Sequence, residues 1–109
     1  MLICNAFSLN MLRTLTVDIR VCPLILSQAR TIAVNGLESA VGHPDTAAVF
    51  STVIGVQVPA NRATLALGPG DRLLVGQYRG PRLPEGTTTL PDGAKIEWAM
   101  VYIEEPGDD

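Results

Sequence analysis

Apolar positions in this chain change period several times, and each change marks an element. "MLICNA" opens with an apolar run and predicts a short buried strand. "FSLNML" follows, with Ser8 placed to cap a brief helical turn. From Leu15 to Val21, "LTVDIRV" alternates apolar and polar residues, which predicts a strand with one wet face. In "CPLILSQARTIAVNG" the residues Leu24, Ile25, Ala29, Ile32 and Ala33 roughly share a helical face. Pro23 fits the first helical position and Gly36 the stop. "LESAVG" reads as a short edge strand. A second helix is bracketed by Pro44 and Gly55, with Ala47, Phe50, Val53 and Ile54 as its inward stripe. "RATLAL" and "DRLLVGQY" read as two strands around a "GPGD" turn. "IEWAMVYI" is a last strand, reached through a long loop from Arg79 to Gly93.

The sum is a small α/β or α+β domain with a mixed five- or six-stranded sheet flanked by helices. We place one domain at residues 1–103 and a fraying acidic tail at 104–109. At 109 residues and 47% hydrophobic, the chain can bury a core. Much surface is left over at this size, so a dimer would be unsurprising. No leader peptide is read at the start, and no apolar run reaches the roughly 18 residues of a membrane span. Cys4 and Cys22 sit among apolar residues without metal-ligand spacing, and read as buried free thiols of a reduced, cytoplasmic protein.

Charge narrows the partners. A net charge of -3 argues against coating long DNA or RNA, which calls for a basic face. A small anion held by a few arginines remains open. Seven of the eight basic residues are arginine, whose fork meets two phosphate oxygens at once. The chain has no P-loop, no GxGxxG after a strand and no GxSxG elbow. One histidine without an acidic cluster makes a metal hydrolase improbable, so no metal or cofactor is expected.

That histidine, His43, stands in "GHPDTA". A residue before proline avoids the helical region, so His43 must lie just outside the second helix, with Pro44 in its first turn. Backbone amides at such an end suit a phosphate. The helix dipole favours the neutral imidazole, and a phosphate beside it favours the protonated one. The ring would then donate a proton only with substrate present. The plainer alternative is a surface or capping residue. Other polar residues could complete a site: Asn5 and Ser8 in "NAFS", Arg62 in "NRAT", and Gln77, Arg79, Arg82 and Glu85 in "GQYRGPRLPEG". Read plainly, Arg82 and Glu85 form a surface ion pair, and Asn5 and Ser8 are turn and cap formers.

"NAFSLNML", "GHPDTA", "NR" and "QYRGPRLPEG" occur in one order across about residues 1–86. In this the chain resembles the ring nucleases that include a viral inhibitor of type III CRISPR defence. The resemblance implies a homodimer that binds cyclic tetra-adenylate across its interface and cleaves it without metal. A ribose 2′-hydroxyl attacks the adjacent phosphorus and the 5′-oxygen leaves, giving linear di-adenylates that end in a 2′,3′-cyclic phosphate. It also implies roles: His43 as proton donor, Arg82 steadying phosphorane charge and Glu85 orienting the histidine. Asn5 and Ser8 would contact the ring, Arg62 would hold phosphate or base, and Gln77 would line the pocket. The loop carries one residue more than the viral form, so Arg79 competes with Arg82 for the pocket arginine. "TTTLPDGAK" is short where viral members have room for a further helix. The rival functions are a module that sequesters the ring without cutting it, and a small DNA-binding regulator.

Overall fold

The computed structural model describes residues 1–107. Five strands form one sheet: β1 (Leu2–Cys4), β2 (Asp18–Leu24), β3 (Glu38–Ser39), β4 (Arg72–Arg79) and β5 (Lys95–Glu104), in spatial order β2-β5-β4-β1-β3. The strands β3, β1 and β4 run parallel, while β5 is antiparallel to both β4 and β2. The sheet is therefore mixed, and two helices, α1 (Leu26–Val34) and α2 (Pro44–Ile54), cover one face. This is the small α+β domain that the sequence predicts.

The two sides of the sheet hold separate cores. On the helical side, Ile3, Leu74, Trp98 and Met100 pack against Ala29 and Ala33 of α1 and Phe50 and Ile54 of α2. Gly76 lets the rings in: a Cβ there would stand 2.7 Å from Trp98 and 2.8 Å from Phe50. On the other side, Cys4, Leu73, Val75, Val101 and Ile103 are covered by loop residues Phe7, Met11, Leu12, Leu65 and Leu67.

Several boundaries depart from the sequence reading. The second strand starts at Asp18 and runs to Leu24, so Pro23 lies inside it and not at the head of α1. Proline is tolerated there because β2 is an edge strand, paired with β5 alone. The helix begins at Leu26 instead, and the Gln28 Oε1 accepts the Ile25 N–H at 3.0 Å. The dry face expected of β2 is also absent: Val21 is 61% exposed and Ile19 37%. Arg20, on the opposite side of the strand, lies 4.3 Å from the centre of the Tyr102 ring and pairs with Glu104.

"RATLAL" is not a strand; among the described residues its one strand-like pairing is an isolated bridge between Leu67 and Leu12. Leu9–Met11 make one 3-10 turn, and Ser8 stands at its start without a side-chain cap bond. Glu104, assigned above to the tail, closes β5, and the Gly107 N–H donates to Asp18 at 2.9 Å. Asp108 and Asp109, the rest of that tail, lie outside the described residues. The second helix has the expected bounds, with Gly55 at φ 77° ending it.

The thiols differ in burial. Cys4 is buried and Cys22 half-buried, and both are free. Burial pushes the Cys4 thiol from 9.0 up to about 11, against a smaller downward pull from a backbone hydrogen bond with Ala6. Thiolate is the reactive form, so iodoacetamide at about pH 8 is expected to label Cys22 well before Cys4. Equal labelling of both in the folded protein would sink this. Because the folded value lies above the unfolded one, the linked stability is complete below 9.0 and is lost as pH rises towards about 11.

Candidate functional site

The parallel strands β1, β3 and β4 end at one edge of the sheet, so the segments leaving them meet there. Open sheets with parallel strands place ligands outside those carboxyl ends. The segment after β3 runs through Gly42 to His43, the cap of α2. Pro44 keeps His43 extended, at φ -97° and ψ 121°. Its Nδ1 accepts the Thr46 N–H at 3.4 Å. A ring that accepts at Nδ1 carries its neutral-state proton on Nε2. The capping role is thus real, and the ring remains exposed at the sheet edge.

The segment after β4 is the long connection Gly80–Ala94, which meets α2 at Asp45 and Thr52. Within it, Thr87 N–H donates to the Pro84 carbonyl at 3.1 Å, closing a turn with Gly86 at φ 80°. Tyr78 donates its hydroxyl to the Pro81 carbonyl, and Thr52 donates to Thr88. Gly86 N–H donates to Asp45 Oδ1 at 3.1 Å. Between loop and helix lies a cavity of about 680 Å³, walled by His43, Asp45, Thr46, Tyr78, Arg82 and Glu85 among others. Its size falls in the range of roughly 300–1,000 Å³ usual for small-molecule sites.

His43, Arg82 and Glu85 therefore share one cavity. Among the described residues no salt bridge joins Arg82 to Glu85, so the plain ion-pair alternative is not what the structure shows. Arg62 is close by: its Cγ would lie 3.1 Å from a Cβ on Gly42, the neighbour of His43. Asn61 fixes that approach, donating to the Ser39 carbonyl at 2.7 Å and, through its backbone, to Val41 at 2.8 Å.

Gln77 and Arg79 lie elsewhere. In β4, Leu74 faces the helical core while Leu73 and Val75 face the other one. Alternation puts Gln77 and Arg79 on that second face, away from Tyr78. They line a smaller cavity of about 330 Å³ with Phe7, Val21 and Glu97. Arg79 is committed there to an ion pair with Glu97. Of the two competing arginines, Arg82 is the one beside His43. Asn5 follows β1, half-buried, and Ser8 is exposed three residues on, flanking the Phe7 of the smaller cavity.

Three residues of the site escaped the sequence reading. Asp45 is visible only as an acid in a helix's first turn, with nothing to show that it reaches Gly86. Tyr78 reads as an ordinary strand residue, and Asn61 enters only as part of the "NR" pair. The described residues bring together no group of three or more His, Cys, Asp and Glu side chains suited to a metal ion. Among the described residues no helix is long and apolar enough to cross a membrane.

A family model described as STIV B116-like matches residues 1–97. Among solved structures the chain is similar to B116 of Sulfolobus turreted icosahedral virus, at 28% identity and a TM-score of 0.76. That match covers 93% of this chain and 97% of the other. No curated protein matches.

Proposed function

The chain belongs to the STIV B116-like family, and from that membership we propose that it is a metal-independent ring nuclease acting on cyclic tetra-adenylate. The observation that carries the proposal is the meeting of His43, Arg82 and Glu85 around one open cavity at the carboxyl ends of parallel strands. These are a proton donor, a phosphate-binding fork and an orienting carboxylate, drawn from segments 39 to 42 residues apart in sequence.

The nucleophile in this reaction belongs to the substrate, so the protein needs only to align it, protonate the leaving group and balance charge. The ribose O2′ forms a bond to phosphorus, the P–O5′ bond breaks, and the 2′-hydroxyl proton passes to solvent. Protonated His43 gives its proton to O5′ from Nε2. Arg82 offers two parallel N–H groups to the equatorial phosphorane oxygens. Glu85, on the turn held against α2, keeps the imidazole oriented. Protonation of the ring also occupies Nδ1, so His43 surrenders its bond from Thr46 N–H when it acts as an acid.

A homodimer belongs to the same proposal: two cavities related by a two-fold axis would each cut one of two opposite linkages in a single ring. The open side of β2, with Val21 and Ile19 exposed, offers an apolar face for such pairing. The test is incubation of the protein with radiolabelled cyclic tetra-adenylate in EDTA. We expect linear di-adenylates with 2′,3′-cyclic phosphate ends. An intact ring overturns the proposal, and tight binding without cleavage would make the protein a sequestering module.

A further inference from the structure

We propose that Asp45 is a positioning residue that clamps the Arg82–Glu85 loop to the helix bearing His43; its consequence for cleavage rests on the ring-nuclease reading. The first observation is the connection between β4 and β5. Arg79 and Lys95 are still paired, so a tight turn could have joined the strands there. Fifteen residues intervene instead, and they are bonded to α2 at Asp45 and Thr52. Nothing in the β4–β5 pairing fixes where such an excursion lies, so its position must come from contacts of its own.

One such contact, from a residue on the cavity wall, is that of Gly86 N–H with Asp45 Oδ1, at 3.1 Å. The geometry of the turn makes this amide available. The Pro84–Thr87 turn is closed by Thr87 N–H, which leaves the amide of Gly86 outside the turn's own hydrogen bond. Gly86, at φ 80°, has a backbone conformation that suits glycine. Glu85 immediately precedes that amide, and Arg82 lies at the other end of the same short segment. On the helix side, Asp45 is two residues from His43 and half-buried. The carboxylate is thus a short link between the proposed donor and the loop that carries its two partners.

Charge gives the second argument. A carboxylate on the wall of a phosphate-binding cavity repels its ligand, and Asp45 stands on that wall. A bond to a backbone N–H takes up part of that charge and gives the residue a task there. The merely structural alternative is a favourable interaction of an acid with the helix dipole in the first turn. The two differ in what the group must keep: a clamp needs an acceptor oxygen, and the dipole needs a negative charge.

Asp45→Ala and Asp45→Asn separate them. Amide hydrogen exchange at Gly86, followed by NMR without ligand, is expected to quicken roughly tenfold or more in Asp45→Ala. It should stay near wild type in Asp45→Asn, whose side-chain oxygen still accepts. Cleavage of cyclic tetra-adenylate should follow the same order, with kcat falling about tenfold or more in the alanine variant and KM changing less. Unchanged Gly86 exchange in Asp45→Ala overturns the clamp. Faster exchange with undiminished kcat overturns the positioning role, and an asparagine variant as impaired as alanine assigns the effect to charge. Should wild type leave the ring intact, the ring-nuclease reading and the catalytic consequence fall together. Gly86 exchange then still decides whether the clamp exists.

Discussion

Replacing His43 by asparagine is expected to leave helix α2 capped and to stop ring cleavage. Asparagine is among the strongest capping residues, and its side-chain oxygen can take the Thr46 N–H that Nδ1 accepts now. It cannot donate a proton to a leaving oxygen as imidazolium does. Removing a general acid slows a reaction by roughly a hundred- to ten-thousandfold. Thermal unfolding should therefore barely change while the single-turnover rate falls by that factor. Alanine at the same position loses both roles: stability should drop by about 1 kcal/mol, as for other lost caps. A rate for His43→Asn equal to that of wild type would show that the residue is a cap and nothing more.

The largest effect on stability is expected from Phe50→Ala. Phe50 is fully buried, and its ring lies 5.2 Å from that of Trp98 in a tilted arrangement over Gly76. Truncation removes the apolar surface and leaves a cavity that the neighbouring strand cannot fill, because Gly76 has no side chain to offer. Such changes cost about 3–5 kcal/mol, against a total of roughly 5–15 kcal/mol for a domain. Urea denaturation should show a much lower midpoint at an unchanged slope. A shift below about 1 kcal/mol would mean that the site repacks. The same helix carries His43 at its start, so cleavage should weaken alongside stability.

The helix α2 was legible because its signals are local and agree. A proline at the first position, an apolar stripe and a terminal glycine act within one element, and tertiary contacts only reinforce them. The strand and helix around Pro23 were misread for a related reason. Proline suits both a helix's first turn and an edge strand, and only the absence of a neighbour beyond β2 decides between them. "RATLAL" alternates like a strand, yet it serves as cover for the second core. Its pattern reports a half-buried segment, not a ladder of hydrogen bonds.

The candidate site divides along the same line. The sequence by itself determined the residue types: one histidine held outside a helix by proline, arginines in place of lysines, and a loop too long for a hairpin turn. It also placed the histidine just outside the helix start; that the ring caps the helix, taking the Thr46 N–H at Nδ1, is shown by the structure. Only the tertiary structure decided which residues share a cavity. It set Arg82 beside His43 and turned Arg79 to the opposite face, because side chains alternate along β4 and the loop that follows does not. It also joined Asp45 to Gly86 across 41 residues. Local rules act over a turn or two of chain, whereas the cavity is closed by segments that meet only when parallel strands end together.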